Sequence, residues 1–205
     1  MSQPDVLATT ISLFDHETSR SRAEKTFPIF GLPRGGTTAV AGCIRKLGVF
    51  LGDDLPVNLE DPLFSRPAKV NAELVAQRNA DHAVWGWKFP NAANYLDHIA
   101  KDLRNSRLIC VTRDLAANGL AIASRHAGFD DLRALETVFL QTQKNYSLIM
   151  RFHRPTLLVS YEKLLLKTEE TVREIAGFLG TEVSEAQIEA AVEFVSPGVY
   201  RPVTD

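Results

Sequence analysis

An apolar run from Thr26 to Leu32 passes directly into Pro33-Arg34-Gly35-Gly36-Thr37-Thr38. Val40, Cys43, Ile44 and Leu47 then repeat at helical spacing until Gly48 stops the pattern. A strand, a glycine loop and a helix in that order are a strong restriction on what the chain can fold into. Glycines lack a Cβ, so backbone amides can turn toward one point, and the following helix offers unsatisfied N–H groups with a partial positive charge. A phosphate or sulfate group fits such a loop. Against the pattern G-x-x-x-x-G-K-[ST], Gly31, Gly36 and Thr38 match, but Thr37 stands in the lysine position and the cation has moved to Arg34. A triphosphatase uses that lysine on the β- and γ-phosphates and a carboxylate near a second strand for magnesium; neither is evident here. Arg34 instead offers a fixed, always charged fork suited to bidentate contact with a phosphate or sulfonate. The plainer alternative is a Gly-Gly turn beside a solvated arginine.

The rest of the chain repeats the alternation. Strand-like runs fall at Thr26 to Leu32, Ala83 to Phe89, Arg107 to Thr112 and Thr156 to Ser160. Helical spacing follows in Ala92, Tyr95, Leu96, Ile99 and Leu103, and again in Val172, Ile175, Ala176 and Leu179, which Gly180 closes. Ser184 to Gln187 reads as a capping box for a last helix carrying Ile188, Ala191, Val192 and Val195, with Ser196-Pro197-Gly198 ending it. The near-continuous run Leu108 to Val111 predicts burial on both faces. The reading is an α/β fold of three layers, a central parallel sheet flanked by helices, in a single domain over 1–205 with its core at about 26–200.

Composition narrows the partners. With 45% hydrophobic and 23% charged residues the chain reads as soluble and globular. A net charge of -2 argues against a broad nucleic-acid or anionic-membrane surface and leaves room for one concentrated anion site. Cys43 and Cys110 each sit in apolar stretches and read as buried free thiols. The N-terminus lacks the form of a secretory signal, and no apolar run reaches the length of a membrane span, so a cytoplasmic location is expected. His82, His98, His126 and His153 show no metal-ligand spacing with one another or with cysteine.

The loop Pro33-Arg34-Gly35-Gly36-Thr37-Thr38 resembles the 5′-phosphosulfate loop of the sulfotransferase superfamily, with Gly35 in place of the usual serine. The resemblance implies a P-loop-like fold, 3′-phosphoadenosine-5′-phosphosulfate (PAPS) as sulfuryl donor, and no need for metal. It implies that Pro33, Arg34, Gly35, Gly36, Thr37 and Thr38 hold the 5′-phosphosulfate end. Leu108-Ile109-Cys110-Val111-Thr112-Arg113-Asp114 is similar to the family's 3′-phosphate signature, which makes Arg113 a donor-binding candidate. Arg113 also stands at a strand's carboxyl end, facing the crevice where open α/β sheets bind ligands. The serine that the family places eight residues later is Ala121 here, with Ser124 one turn beyond. An ion pair of Arg113 with Asp114 or Asp130 is the structural alternative.

Trp85-Gly86-Trp87-Lys88-Phe89-Pro90 resembles the family's strand-end lysine segment, which implies that Lys88 neutralises the leaving phosphate. Many cytosolic members carry a histidine two residues on; Pro90 stands there. Asn58-Leu59-Glu60-Asp61-Pro62-Leu63-Phe64 resembles the acidic segment of short bacterial members, which nominates Glu60 as general base, Asp61 as its fallback, and two solvated loop acids as the alternative. Arg34, Lys88 and Glu60 form the expected catalytic set. The implied reaction moves a sulfuryl group to a hydroxyl or amine of a small-molecule or glycan acceptor. Residues 49–82 are expected to form much of the acceptor side, with Trp85, Trp87 and Phe64 either lining a cleft there or packed in the core. Two readings compete: a magnesium- and triphosphate-dependent phosphotransferase, and a catalytically silent nucleotide-binding protein. The oligomeric state is not written in the sequence.

Overall fold

In the computed structural model, which describes residues 8–125 and 130–195, one mixed sheet runs in the order β1-β5-β4-β2-β3. Its strands are β1 (Thr10–Leu13), β2 (Lys25–Gly31), β3 (Val84–Lys88), β4 (Leu108–Thr112) and β5 (Thr156–Ser160). The parallel pairs β2–β3, β2–β4 and β4–β5 are built from the four expected strands. The sheet is not wholly parallel, because β1 adds an antiparallel edge on β5. That edge carries the sheet N-terminal of the boundary expected near residue 26. Its attachment lies far away in sequence: the amides of Thr9 and Thr10 each donate to the Glu174 carboxylate at 2.8 Å.

The helices are α1 (Glu17–Arg20), α2 (Thr37–Lys46), α3 (Ala72–Asp81), α4 (Leu96–Ile99), α5 (Leu115–Ala123), α6 (Asp131–Phe152), α7 (Tyr161–Leu166), α8 (Thr168–Leu179) and α9 (Glu185–Val195). Strand alternation assigns them to two faces. Phe27, Ile29, Ile109, Val111, Leu157 and Val159 point to one face, where α2, α8 and α9 cover them. Phe30, Trp85, Trp87, Leu108 and Cys110 point to the other, under α6 and the 92–103 segment. Phe64, Trp85 and Trp87 all belong to this second core and none lines a cleft; Trp87 Nε1 donates to Tyr95 Oη at 2.7 Å and Trp85 Nε1 to Asn79 Oδ1 at 3.1 Å.

The continuous helix expected over 92–103 does not form. A 3₁₀ turn at Ala92–Asn94 and the single turn α4 replace it, separated by Tyr95 at φ −135°, ψ −7°. The apolar residues of that pattern are buried nonetheless, and Tyr95 Oη also donates to Phe64 O at 2.8 Å. Anchoring one phenol deep in the core thus outweighs the local helical period. The capping box is present: Ser184 N donates to Gln187 Oε1 at 2.9 Å and Gln187 N to Ser184 Oγ at 3.3 Å. Gly180 closes α8 in the left-handed region. Both cysteines are buried and free, and burial pushes each thiol up to about 12. Ser196-Pro197-Gly198 and His126 lie outside the described residues. Among those residues, no helix is long and apolar enough to cross a membrane.

Candidate active site

The loop stands at the carboxyl end of β2, beside β4; the chain leaves β2 for β3 on one side and β4 for β5 on the other, the crevice in which open α/β sheets receive ligands. Gly35 N donates back to Leu32 O at 2.9 Å, closing a turn, and Arg34 and Gly36 both take left-handed backbone, φ 63° and 87°. At Gly36 a side chain is excluded twice: the dihedral disfavours it, and a Cβ would lie 2.1 Å from Cδ2 of Tyr161. Two carbonyls of the loop are held from outside. Asn118 Nδ2 donates to Pro33 O at 2.9 Å and Arg113 Nη1 to Arg34 O at 2.7 Å. Gly36 then caps α2 with no side-chain cap bond, so the first amides of that helix lack an intrahelical acceptor. A held loop, an open helix N-terminus and Arg34 together suit an anion.

Asn58 joins this loop to the end of β3. Its carbonyl accepts from Thr38 Oγ1 at 3.2 Å and from Lys88 Nζ at 2.9 Å. Lys88 Nζ also pairs with Glu60 Oε1 at 2.9 Å, the lysine side chain 2% exposed and the glutamate 24%. Lys88 is therefore not a surface charge. Burial pulls its ammonium below the ordinary lysine value and the nearby Arg34 charge pulls it further, while Glu60 holds it up. Two cations thus share a small space beside a helix N-terminus, an arrangement that an incoming anion relieves.

Asp61 points the other way. Its carboxylate is buried, pairs with Arg78 Nη2 at 2.7 Å and accepts from Leu63 N at 2.9 Å. Glu60 and Asp61 are thus not two solvated loop acids: Asp61 is buried, and Glu60 is paired and only part-exposed. Arg113 holds the loop backbone and lies over the Tyr161 ring, 5.4 Å from its centroid. Ala121 sits on α5 where the family has serine. Ser124, one turn on, is exposed, and its hydroxyl donates to Ala121 O at 3.2 Å. Among the described residues, no three His, Cys, Asp or Glu side chains gather as a metal set.

Three participants escaped the sequence reading. Asn118, wholly buried and with no second partner on Oδ1, is one turn before Ala121 on α5 and could have been found by following the helix face back from the missing serine. Asn58 lies in a segment already singled out and Tyr161 directly after the Thr156 to Ser160 strand, but their contacts are made by the fold.

The sequence profile of the sulfotransferase family matches residues 54–185, more than half of the 205-residue chain. The chain belongs to the sulfotransferase family. In this sulfotransferase the matched stretch contains Glu60, Lys88 and Arg113, whereas the loop precedes it. Among solved structures the fold is similar to the sulfotransferase domain from the Synechococcus PCC 7002 olefin synthase, with a TM-score of 0.58 and 17% identity over 82% of this chain and 78% of that one. That likeness is one of fold. A search of curated proteins gives no match.

Proposed function

We propose that this sulfotransferase moves a sulfuryl group from PAPS to a hydroxyl acceptor at the junction of the loop, Lys88 and Glu60. The observation that carries this reading is that Thr38, at the amino end of α2, and the buried Lys88, paired with Glu60, both bond the Asn58 carbonyl, with the Arg34 charge acting on Lys88. The donor fits the residues present: the loop is cradle-shaped, its glycine admits no side chain, and its cations outnumber its carboxylate.

When bound, the donor supplies an activated sulfuryl group on a phosphate leaving group. Pro33 to Thr38 orient its anionic end through backbone amides and Arg34. Arg113 and Asn118 keep the loop carbonyls turned away from it. Lys88, released from Asn58 and Glu60, places its positive charge where negative charge grows on the departing phosphate. Glu60, freed of Lys88 and in partial contact with solvent, takes the proton of the acceptor hydroxyl. The ion pair is thus a resting state in which each group occupies the other until both are needed. Asp61, locked on Arg78, takes no part.

Calorimetry tests the donor. Adenosine 3′,5′-bisphosphate should bind in the presence of a chelator, and adenosine triphosphate with magnesium should bind at least ten times more weakly. The reverse order would make the protein a phosphotransferase. Binding without any label transfer to an acceptor pool would make it a silent nucleotide-binding protein.

A further inference from the structure

A cavity of about 350 Å³ opens on the α6 face at the carboxyl end of β4. It begins at Leu32, just before the loop, and runs between α5 and α6 past Cys110, Leu115, Thr142, Asn145 and Tyr146. Its polar lining is largely engaged elsewhere. Thr142 Oγ1 donates to Val138 O at 2.8 Å, Thr112 Oγ1 to Val159 O at 3.3 Å, and Asp114 Oδ1 accepts from Ala117 N at 2.8 Å. Asn145 Oδ1 accepts from Gln141 at 3.0 Å. Arg113 turns its guanidinium to Arg34 O and the Tyr161 ring, toward the face that α2 covers. What is left for a ligand is mainly hydrocarbon, with the Asn145 amide N–H groups, the Tyr146 hydroxyl and the unpartnered Arg113 Nε–H as its few polar groups.

The apolar character continues outside. Leu115 and Tyr146 line the cavity and are also 43% and 40% exposed. Tyr146 belongs to a stripe with Leu132, Leu135, Phe139 and Met150 along α6, all exposed and spaced by three, four, seven and four residues. Such a lining matches neither a polyanionic nucleotide nor a glycan, both of which need free polar partners. Two strand spacings, about 10 Å, separate β4 from β3 across β2. A hydroxyl that meets Glu60 while its body sits by β4 must therefore end an extended molecule.

We infer that this cavity holds the body of the sulfuryl acceptor, and that the acceptor is an alcohol carried on a long hydrocarbon chain. The inference rests on the sulfuryl-transfer reading for its reaction but not for its binding. It moves the acceptor's body away from residues 49–82 and from Phe64, Trp85 and Trp87, which fill the core with their neighbours.

The test separates binding from turnover. Displacement of the uncharged dye Nile red by 1-octanol, 1-decanol and 1-dodecanol should give affinities that rise about fourfold per methylene until the cavity is full, with myo-inositol giving no displacement. Thr142→Trp, which fills the cavity, should weaken 1-dodecanol at least tenfold and leave adenosine 3′,5′-bisphosphate affinity within twofold. Leu115→Trp, at the exposed mouth, should do the same in a site tolerant of bulk. Equal displacement by myo-inositol, or alcohol binding untouched in both variants, overturns the inference. Loss of bisphosphate binding in both variants assigns the cavity to the nucleotide and also overturns it. A wild-type dimer by sedimentation that binds no dodecanol makes the stripe a self-association surface instead. Dodecanol binding without bisphosphate binding leaves the cavity inference standing and removes the donor reading.

Discussion

Glu60 and Asp61 are neighbours in one short segment, yet each forms an ion pair of a different kind. Asp61 and Arg78 are both buried, with the guanidinium also 5.0 Å from the Phe50 ring centroid. Burial pushes the Asp61 carboxyl up, and the Leu63 amide and Arg78 oppose that push. Glu60 is in partial contact with solvent, and its partner Lys88 also bonds a backbone carbonyl that the loop threonine shares. The first pair has nowhere to go. The second can open, because solvent receives the glutamate and an anion at the loop receives the lysine. Burial of the carboxylate, rather than the presence of a salt bridge, separates a structural acid from one available to chemistry.

Three substitutions sharpen the comparison. Asp61→Asn leaves Arg78 as a buried cation without a counter-charge, and chemical denaturation should show a loss of about 3 kcal/mol, with the remaining folded fraction keeping its turnover rate. Glu60→Gln should differ in turnover rather than in stability: Lys88, 2% exposed, also loses its counter-charge, so stability should fall by a comparable amount, about 3 kcal/mol, but the turnover rate should drop about 100-fold, because glutamine takes no proton. A variant Asp61→Asn that is fully stable but inactive would exchange the two roles. The smallest stability effect belongs to Lys88→Met. Burial lowers the folded pKa of Lys88, so the unfolded chain binds more protons between that value and about 10.4. Stability therefore rises with pH across that window, and Lys88→Met should flatten part of the rise and leave the midpoint at neutral pH unchanged or higher.

Much of this was legible in the chain itself. The glycine loop, strands β2 to β5 and the strand-end positions of Lys88 and Arg113 are local features, written in runs of five to seven residues that burial on both faces makes largely apolar. What was hidden depends on distant partners. Strand β1 is only four residues, Thr-Ile-Ser-Leu, too short for its alternation to count and with burial that does not follow it, and it is held by Glu174 some 165 positions away. Helix α6 carries apolar residues beyond its buried face, since Leu132, Phe139 and Leu140 are exposed while Ala134, Val138 and Ile149 are buried, and this blurs its period. Glu60 could be nominated from its segment, but the pairing with Lys88 spans 28 residues, and only the fold distinguishes it from Asp61.

The central claim is that Lys88 acts on the transferring group, and a single-turnover measurement of labelled sulfate leaving PAPS tests it most directly. Lys88→Met should slow label transfer at least 100-fold, while adenosine 3′,5′-bisphosphate binds within about threefold of wild type, since the lysine gains most only as charge builds on the leaving phosphate. Unchanged transfer in a folded Lys88→Met protein would contradict the account and leave Lys88 as a buried structural cation.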